Sequence, residues 1–510
     1  MFYRLRTPDF LHEMFWIKNV NPEQVRRFAE LAGGAYLLDA YSRVEGEVVG
    51  FGFTCPPMGW NWAPFLAQKT LEHIVEQVAS LSPGGRLLHA TPPPDISPAK
   101  VPHWAYIDDY GGINVGPDCR EKSEKLSADV RTALRAAGLD AHKEQIGLFI
   151  EVLGGELDLG KRAIYPKATS LREVILATRY VVKCGRASPF QVEVLLGKWQ
   201  WFFLLRRPFF SVFQNVYSFV ADYRLYGSSD RVITLPCKVR SELALVLDLL
   251  PFLRADLDWP WHAEVAMVDS GPEGFGMVVA RPPCSEVQVE GRLGVCGFQN
   301  AVAPLGDYVL QWDWQLAMRG CWSVTEHNNV GEARVGTYVA SRAARCRSVR
   351  KRKVLRFSDS QVSIGVFSKG RSSKGTLLHL ARRDASWCLF AQIRVSNRWV
   401  PTFYNLADGP SRGATRPSVG WDSARKAIAA GLPGVWQLRG NAAVQRFTSI
   451  FNRGAEYEPD PATANFNDFD RGPFKVIKRR RKAKRPQRNS RNPVFMAHTP
   501  PCVMLRSTRW

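Results

Sequence analysis

Hydrophobic and polar positions along the chain change period several times, and each change marks a change of element. From Ala63 the sequence APFLAQKTLEHIV repeats apolar residues every three to four positions behind a proline, which predicts a helix opened by Pro64. A second amphipathic stretch, Glu121 to Ala137, stops at Gly138, and LFIEVLGGELDLG then alternates around paired glycines as a strand, turn and strand. Between Ser170 and Leu253 the spacing is helical again. VEVLLGKWQWFFLL and RSELALVLDLLPFL are its strongest segments, and Pro208 and Pro236 are its breaks. At HAEVAMVDSGPEGFGMVVA two apolar strands flank a glycine-rich turn, and mixed helix and strand patterns follow to ADGPSR. Beyond about Asn452 the periodicity is lost, and a disordered tail is expected.

These periods predict an α/β chain in four parts. They are a mixed unit at 1–160, a helical connector at 161–260, an α/β domain at 261–412, and an extension at 413–510 that ends in a basic tail. With 510 residues the chain has material for about three cores.

Composition adds a partner. A formal net charge of +22 favours a polyanion, with nucleic acid first, because basic surfaces attract phosphate backbones and gain from counterion release. The ten cysteines are scattered without a CxxC pair, which argues against a zinc site and for a reducing compartment, nucleus or cytoplasm. No uncharged apolar run is long enough to span a bilayer, so no membrane partner is expected. The run KVIKRRRKAKRPQRNSR, with Arg479, Arg480, Arg481 and Lys482, reads as a nuclear-import signal or a nonspecific grip on nucleic acid.

Two sets of acids carry candidate chemistry. HWAYIDDYGG puts Asp108 and Asp109 at a hairpin tip. Adjacent carboxylates repel unless a cation sits between them, which is the logic of a magnesium site, although Asp and Gly also make ordinary turns. In the α/β domain, Asp269, Glu332, Asp359 and Asp408 each fall near an element end. Singly, each has a bland reading as a turn or cap residue; together they suit a metal pair.

The order of the first set resembles the palm of a reverse transcriptase. CPPMGWNWAPFLAQ is similar to its template-and-nucleotide segment, YIDD to its catalytic motif, AHKEQIG to its lysine segment, and EVLGGELD to the turn that follows. The resemblance implies that Asp108 and Asp109 hold magnesium, that Met58, Gly59 and Gln68 line the nucleotide and template site, and that Lys143 lies near the triphosphate. MFYRL resembles the end of an earlier motif, with Phe2 as the aromatic that screens the sugar. That motif's aspartate would then fall four residues before Met1, and neither Asp9 nor Asp39 suits its place in the family's order. A truncated copy with an impaired polymerase is the expectation.

The second set resembles retroelement ribonuclease H. VDSGPEGFG, NNVGEARVG, FSDSQ and NLADGPSR supply the four acids in the family's order, Asp269, Glu332, Asp359 and Asp408. The resemblance implies two Mg²⁺ ions per active site, with Mn²⁺ as an alternative, and RNA template, DNA primer, RNA-DNA hybrid and dNTPs as partners. The connector LLGKWQWFFLLRRPFFSVFQNVYSFV resembles the helices that link the two activities. Its Arg206, Arg207 and aromatics fit either a nucleic-acid track or a core. The Pro-Met-Gly-Trp variant is most similar to the tyrosine-recombinase (DIRS) group of retrotransposons. The alternative is a catalytically decayed, nucleic-acid-binding relic. Oligomeric state and the role of 413–510 stay open.

Overall fold

The computed structural model describes residues 5–12, 14–17, 27, 30–31, 51–88, 91–94, 96–97, 100–226, 230–295, 305–324, 326–420, 423 and 425–426. Phe2, Asp39, the basic run at Arg479–Lys482 and the expected tail lie outside them. Everything described belongs to one compact unit, Met1–Arg453. Its architecture is mixed helix and sheet, and no helix among the described residues is long and apolar enough to cross a membrane.

Near the N-terminus, β1 (Trp16–Ile17) pairs with β2 (Phe51–Gly52). The helix expected from Ala63 is α1, Ala63–Glu76, with Pro64 in its first turn. It packs on the hairpin of β3 (His103–Tyr106) and β4 (Asp109–Gly112), beside α2 (Cys119–Ala136). A proline opens α1 at no cost because the first helical N–H has no partner to lose.

The glycine-rich hairpin forms as its pattern predicts, from β5 (Phe149–Val152) and β6 (Gly155–Asp158). Leu153 (φ 48°) and Gly154 (φ 73°) both lie in the left-handed region, which matches the right-handed twist of the paired strands. Glycine occupies this region freely, whereas leucine is strained there. Leu153→Asn should therefore stabilise the chain by about 1 kcal/mol. A urea midpoint that stays put or falls would contradict this.

One expected boundary is corrected. β6 pairs in full with β7 (Ala163–Pro166), which pairs with β10 (Ala255–Asp256), giving a sheet ordered β10-β7-β6-β5. A division at residue 160 would cut this sheet, because hydrogen bonding across it is continuous. The helices α3 (Ala168–Cys184), α4 (Pro189–Phe203), α5 (Asn215–Tyr226) and α6 (Cys237–Asp248) leave from and return to that sheet. Between α3 and α4 lies β8 (Arg186–Ala187), paired with β9 (Ile233–Thr234).

Most aromatics of the connector form its core, although Trp201 is exposed. Trp199, Phe203, Phe209 and Phe213 are fully buried, and the Trp199 Nε1 donates to Thr178 Oγ1 at 3.0 Å. Each such side chain contributes roughly 2–3 kcal/mol by leaving water. Arg206 does not line a track either. It is buried over the Trp259 ring, and its Nη2 donates to the carbonyls of Cys388 and Ile393 at 3.2 Å each, which ties the connector to the α/β domain.

That domain is a five-stranded sheet, ordered β13-β12-β11-β14-β15, from β11 (Val265–Ser270), β12 (Gly274–Ala280), β13 (Gln315–Cys321), β14 (Lys353–Ser358) and β15 (Arg394–Trp399). β11, β14 and β15 run parallel, and β12 and β13 are antiparallel additions. α7 (Cys284–Val295), α8 (Asn328–Arg345), α9 (Gln361–Lys369) and α10 (Gly375–Phe390) complete the domain. All six residues of β11 are buried, as a central parallel strand requires.

Candidate functional site

The Asp108 hairpin turns on two residues, Ile107 (φ 52°) and Asp108, and exposes Tyr106, Asp108 and Asp109. Gln68, expected to line a nucleotide site, has its carboxamide engaged by this turn: its Nε2 donates to Ala105 O at 2.8 Å and its Oε1 accepts from Ile107 N at 2.7 Å. The side chain therefore holds the strained tip to α1. Met58, Gly59 and Lys143 are exposed, and a side chain at Gly59 would meet nothing, so its φ of 103° is what calls for glycine. The hairpin is a two-stranded ribbon, and among the described residues no third acidic, histidine or cysteine side chain joins its two aspartates in a metal-holding group.

In the α/β domain, strand register does what sequence spacing could not. Val268 pairs with Ser358 across the parallel strands β11 and β14, so Asp269 and Asp359 come next to each other at the carboxyl ends of adjacent strands. That end of a parallel sheet is where open α/β folds bind ligands. Glu332 is added from the first turns of α8, and Asp408 from the first residue of a helical turn, Asp408–Ser411. Two glycines of the VDSGPEGFG stretch make room for this turn. A Cβ on Gly276 would meet Ala407 O at 2.5 Å, and one on Gly274 would meet Ser411 O at 2.7 Å.

Three of the acids are held in an environment hostile to their charge. Burial is the main cause for each. It raises Asp269 to about 8, with the Asp359 charge adding to it; Asp359 rises to about 7, with Glu332 adding; and Glu332 rises to about 7, with Asp269 adding. Hydroxyls of Ser411, Thr402 and Ser360 oppose these shifts at Asp269, Asp359 and Glu332 in turn. The Nδ2 of Asn405 bridges Val268 O and Asp269 Oδ1 at 3.1 and 3.3 Å, and Trp399 Nε1 donates to Asp359 O at 3.0 Å.

Two buried oxygens, Glu332 Oε2 and Asp359 Oδ1, have no hydrogen-bond partner. Buried carboxylate oxygens without partners beside other acids fit a hard divalent cation, which takes oxygen ligands. Asp408 is different. Its Oδ1 accepts from Arg412 Nε at 2.8 Å, and its Oδ2 accepts from Gly420 N at 2.8 Å and Ser423 Oγ at 3.0 Å, so both oxygens are engaged. Among the described residues no three Asp, Glu, His or Cys side chains close on one point. The acids are near enough to repel one another, and they are not drawn up as a finished cage.

The raised carboxyls set a pH dependence. Their protons are retained in the fold after the unfolded chain, with values near 4, has released its own. The fold therefore loses stability as pH rises from about 4 to 8. In chelator, an Asp269→Asn, Glu332→Gln, Asp359→Asn triple variant should melt above the parent at pH 8 and converge with it at pH 4. Added Mg²⁺ should raise the parent's melting temperature more at pH 8 than at pH 6 and leave the variant unmoved. A Mg²⁺ shift independent of pH, or equal in the variant, would contradict this.

The chain matches no protein-family model and no curated protein. Sequence reasoning missed Asn405, Ser360, Thr402 and Arg412 around the acids, and the Gln68 latch. Their partners are set by tertiary contacts, although Asn405 and Arg412 stand inside the quoted NLADGPSR stretch.

Proposed function

We propose that the α/β domain hydrolyses the RNA strand of an RNA-DNA hybrid, in a chain of retroelement reverse transcriptase and ribonuclease H type. One observation carries the reading: Asp269 and Asp359 stand side by side at the carboxyl ends of parallel strands with Glu332 beside them, all three raised and two with unpartnered oxygens. Asp269, Glu332 and Asp359 would hold divalent cations. When bound, such ions supply an activated water and neutralise charge at a scissile phosphate. Ser360 and Thr402 would keep the Glu332 and Asp359 carboxylates oriented, and Asn405 would fix Asp269 to its strand.

The reading extends to nucleic-acid partners, which the net charge of +22 supports. For Asp108 and Asp109 the same reasoning predicts weak nucleotide transfer, since two-metal chemistry needs carboxylates from more than one strand. A second reading, a relic that binds hybrid without cutting it, draws on the closed bonding of Asp408. A substrate panel separates the two. With Mg²⁺ the purified chain should cut RNA paired with DNA and leave the matching DNA duplex intact; hybrid binding without cleavage would establish the relic.

A further inference from the structure

At the other end of the same sheet lies a cleft of about 1030 Å³ between α8 and the β11, β12 and β13 strands. On α8, Tyr338 lies six residues beyond Glu332, about 9 Å at the helical rise, and Arg342 ten residues, about 15 Å. Glu264, just before β11, is about 16 Å of extended chain from Asp269, and none of Asp269, Glu332, Asp359 and Asp408 lines the cleft. The cleft is therefore separate from the acidic site. Its floor is apolar, with half-buried Ala317, Met318 and Tyr338. Its rim carries Arg281, Arg342, Arg345 and Arg383 against a single acid, Glu264. Glu264 is occupied by Arg281 at 3.0 Å and Arg342 at 2.9 Å. Arg345 and Arg383 are exposed, and the Arg383 guanidinium lies 5.9 Å from the centre of the Tyr338 ring. Exposed Arg347, Arg350 and Lys351 continue the positive surface past the end of the cleft.

We propose that this cleft binds a single strand of nucleic acid, with a base over the Tyr338 floor and flanking phosphates on the arginine rim. A stacking surface beside a line of cations is the usual means of holding an unpaired strand without reading its sequence. The elongated charge favours a strand over a free nucleotide, because one phosphate would use only part of it. This site does not depend on the cleavage reading, and it stands if the acids prove inert.

Cys346 gives a direct readout, since it lines the cleft and is exposed, and Ser348 holds its thiol below the ordinary range by hydrogen bonding. The full chain is alkylated with N-ethylmaleimide with and without a short oligothymidylate or oligouridylate, and each cysteine is followed by mass spectrometry. The strand should slow Cys346 several-fold and leave exposed Cys237 and Cys284 unchanged, and Arg345→Glu with Arg383→Glu should restore the Cys346 rate. Protection by either strand chemistry supports the proposal. An unchanged Cys346 rate under saturating strand, equal protection by thymidine monophosphate at the same nucleotide concentration, or protection that survives the double variant would overturn it.

Discussion

Asp269→Asn is expected to lower Mg²⁺-dependent cleavage of an RNA-DNA hybrid by on the order of a thousandfold, and Asp359→Asn by a similar factor. Both side chains stand at the carboxyl ends of neighbouring parallel strands, where register fixes them side by side. Amide replacements keep the shape and remove the charge that would hold a cation. The stability of these variants should move the other way in chelator, because each removes a buried carboxyl that its neighbours already disfavour. Lost activity with a gain in melting temperature separates a catalytic role from a folding defect. Asp408→Asn should cost less activity than either, because its oxygens are engaged by Arg412, Gly420 and Ser423. Equal loss at Asp408 would mean that it leaves this bonding to act with the other three. Unchanged cleavage in Asp269→Asn would remove the site.

The second large effect is structural. Glu290 on α7 and Arg398 on β15 are both almost fully buried. Arg398 Nε and Nη2 donate to Glu290 Oε2 at 2.8 and 2.7 Å. The other oxygen accepts from Tyr308 Oη at 2.8 Å and Gly306 N at 3.3 Å. Removing one partner strands a charge in the interior, so Glu290→Ala should destabilise the chain by about 3–5 kcal/mol. Replacing both, as Glu290→Leu with Arg398→Met, should recover most of that loss, since an ion pair of this kind breaks roughly even against apolar packing. Urea unfolding of the two variants beside the parent measures it. A single variant within 1 kcal/mol of the parent would show that water reaches the pair.

How much could be read from the sequence depended on how local the determining physics is. Helical spacing behind Pro64 and ahead of Gly138 foretold α1 and α2, because capping and periodicity act within a few residues. The paired glycines foretold the β5–β6 hairpin for the same reason. Long-range pairing and contacts were not legible in this way. The expected boundary at residue 160 missed the pairing of β6 with β7 and of β7 with β10, the last made across about ninety residues of mainly helical chain. For Arg206 the sequence left a nucleic-acid track and a core both open, and only the fold brings Cys388 and Ile393 within reach of its guanidinium. At the acidic site the residue types were legible, but the environment was not. No spacing says that Asp359 and Glu332 keep oxygens without partners while Asp408 is enclosed by Arg412, Gly420 and Ser423.

The central claim is that Asp269, Glu332 and Asp359 hold cations that cut RNA in a hybrid, and one measurement addresses it directly. The purified chain and an Asp269→Asn, Asp359→Asn double variant are each given an end-labelled RNA-DNA hybrid with Mg²⁺, and the RNA products are resolved on a gel. Cleavage by the parent that chelator stops is expected, and none by the double variant although it still binds the hybrid. Cleavage of the same rate by both, or binding by both without any cleavage, would contradict it.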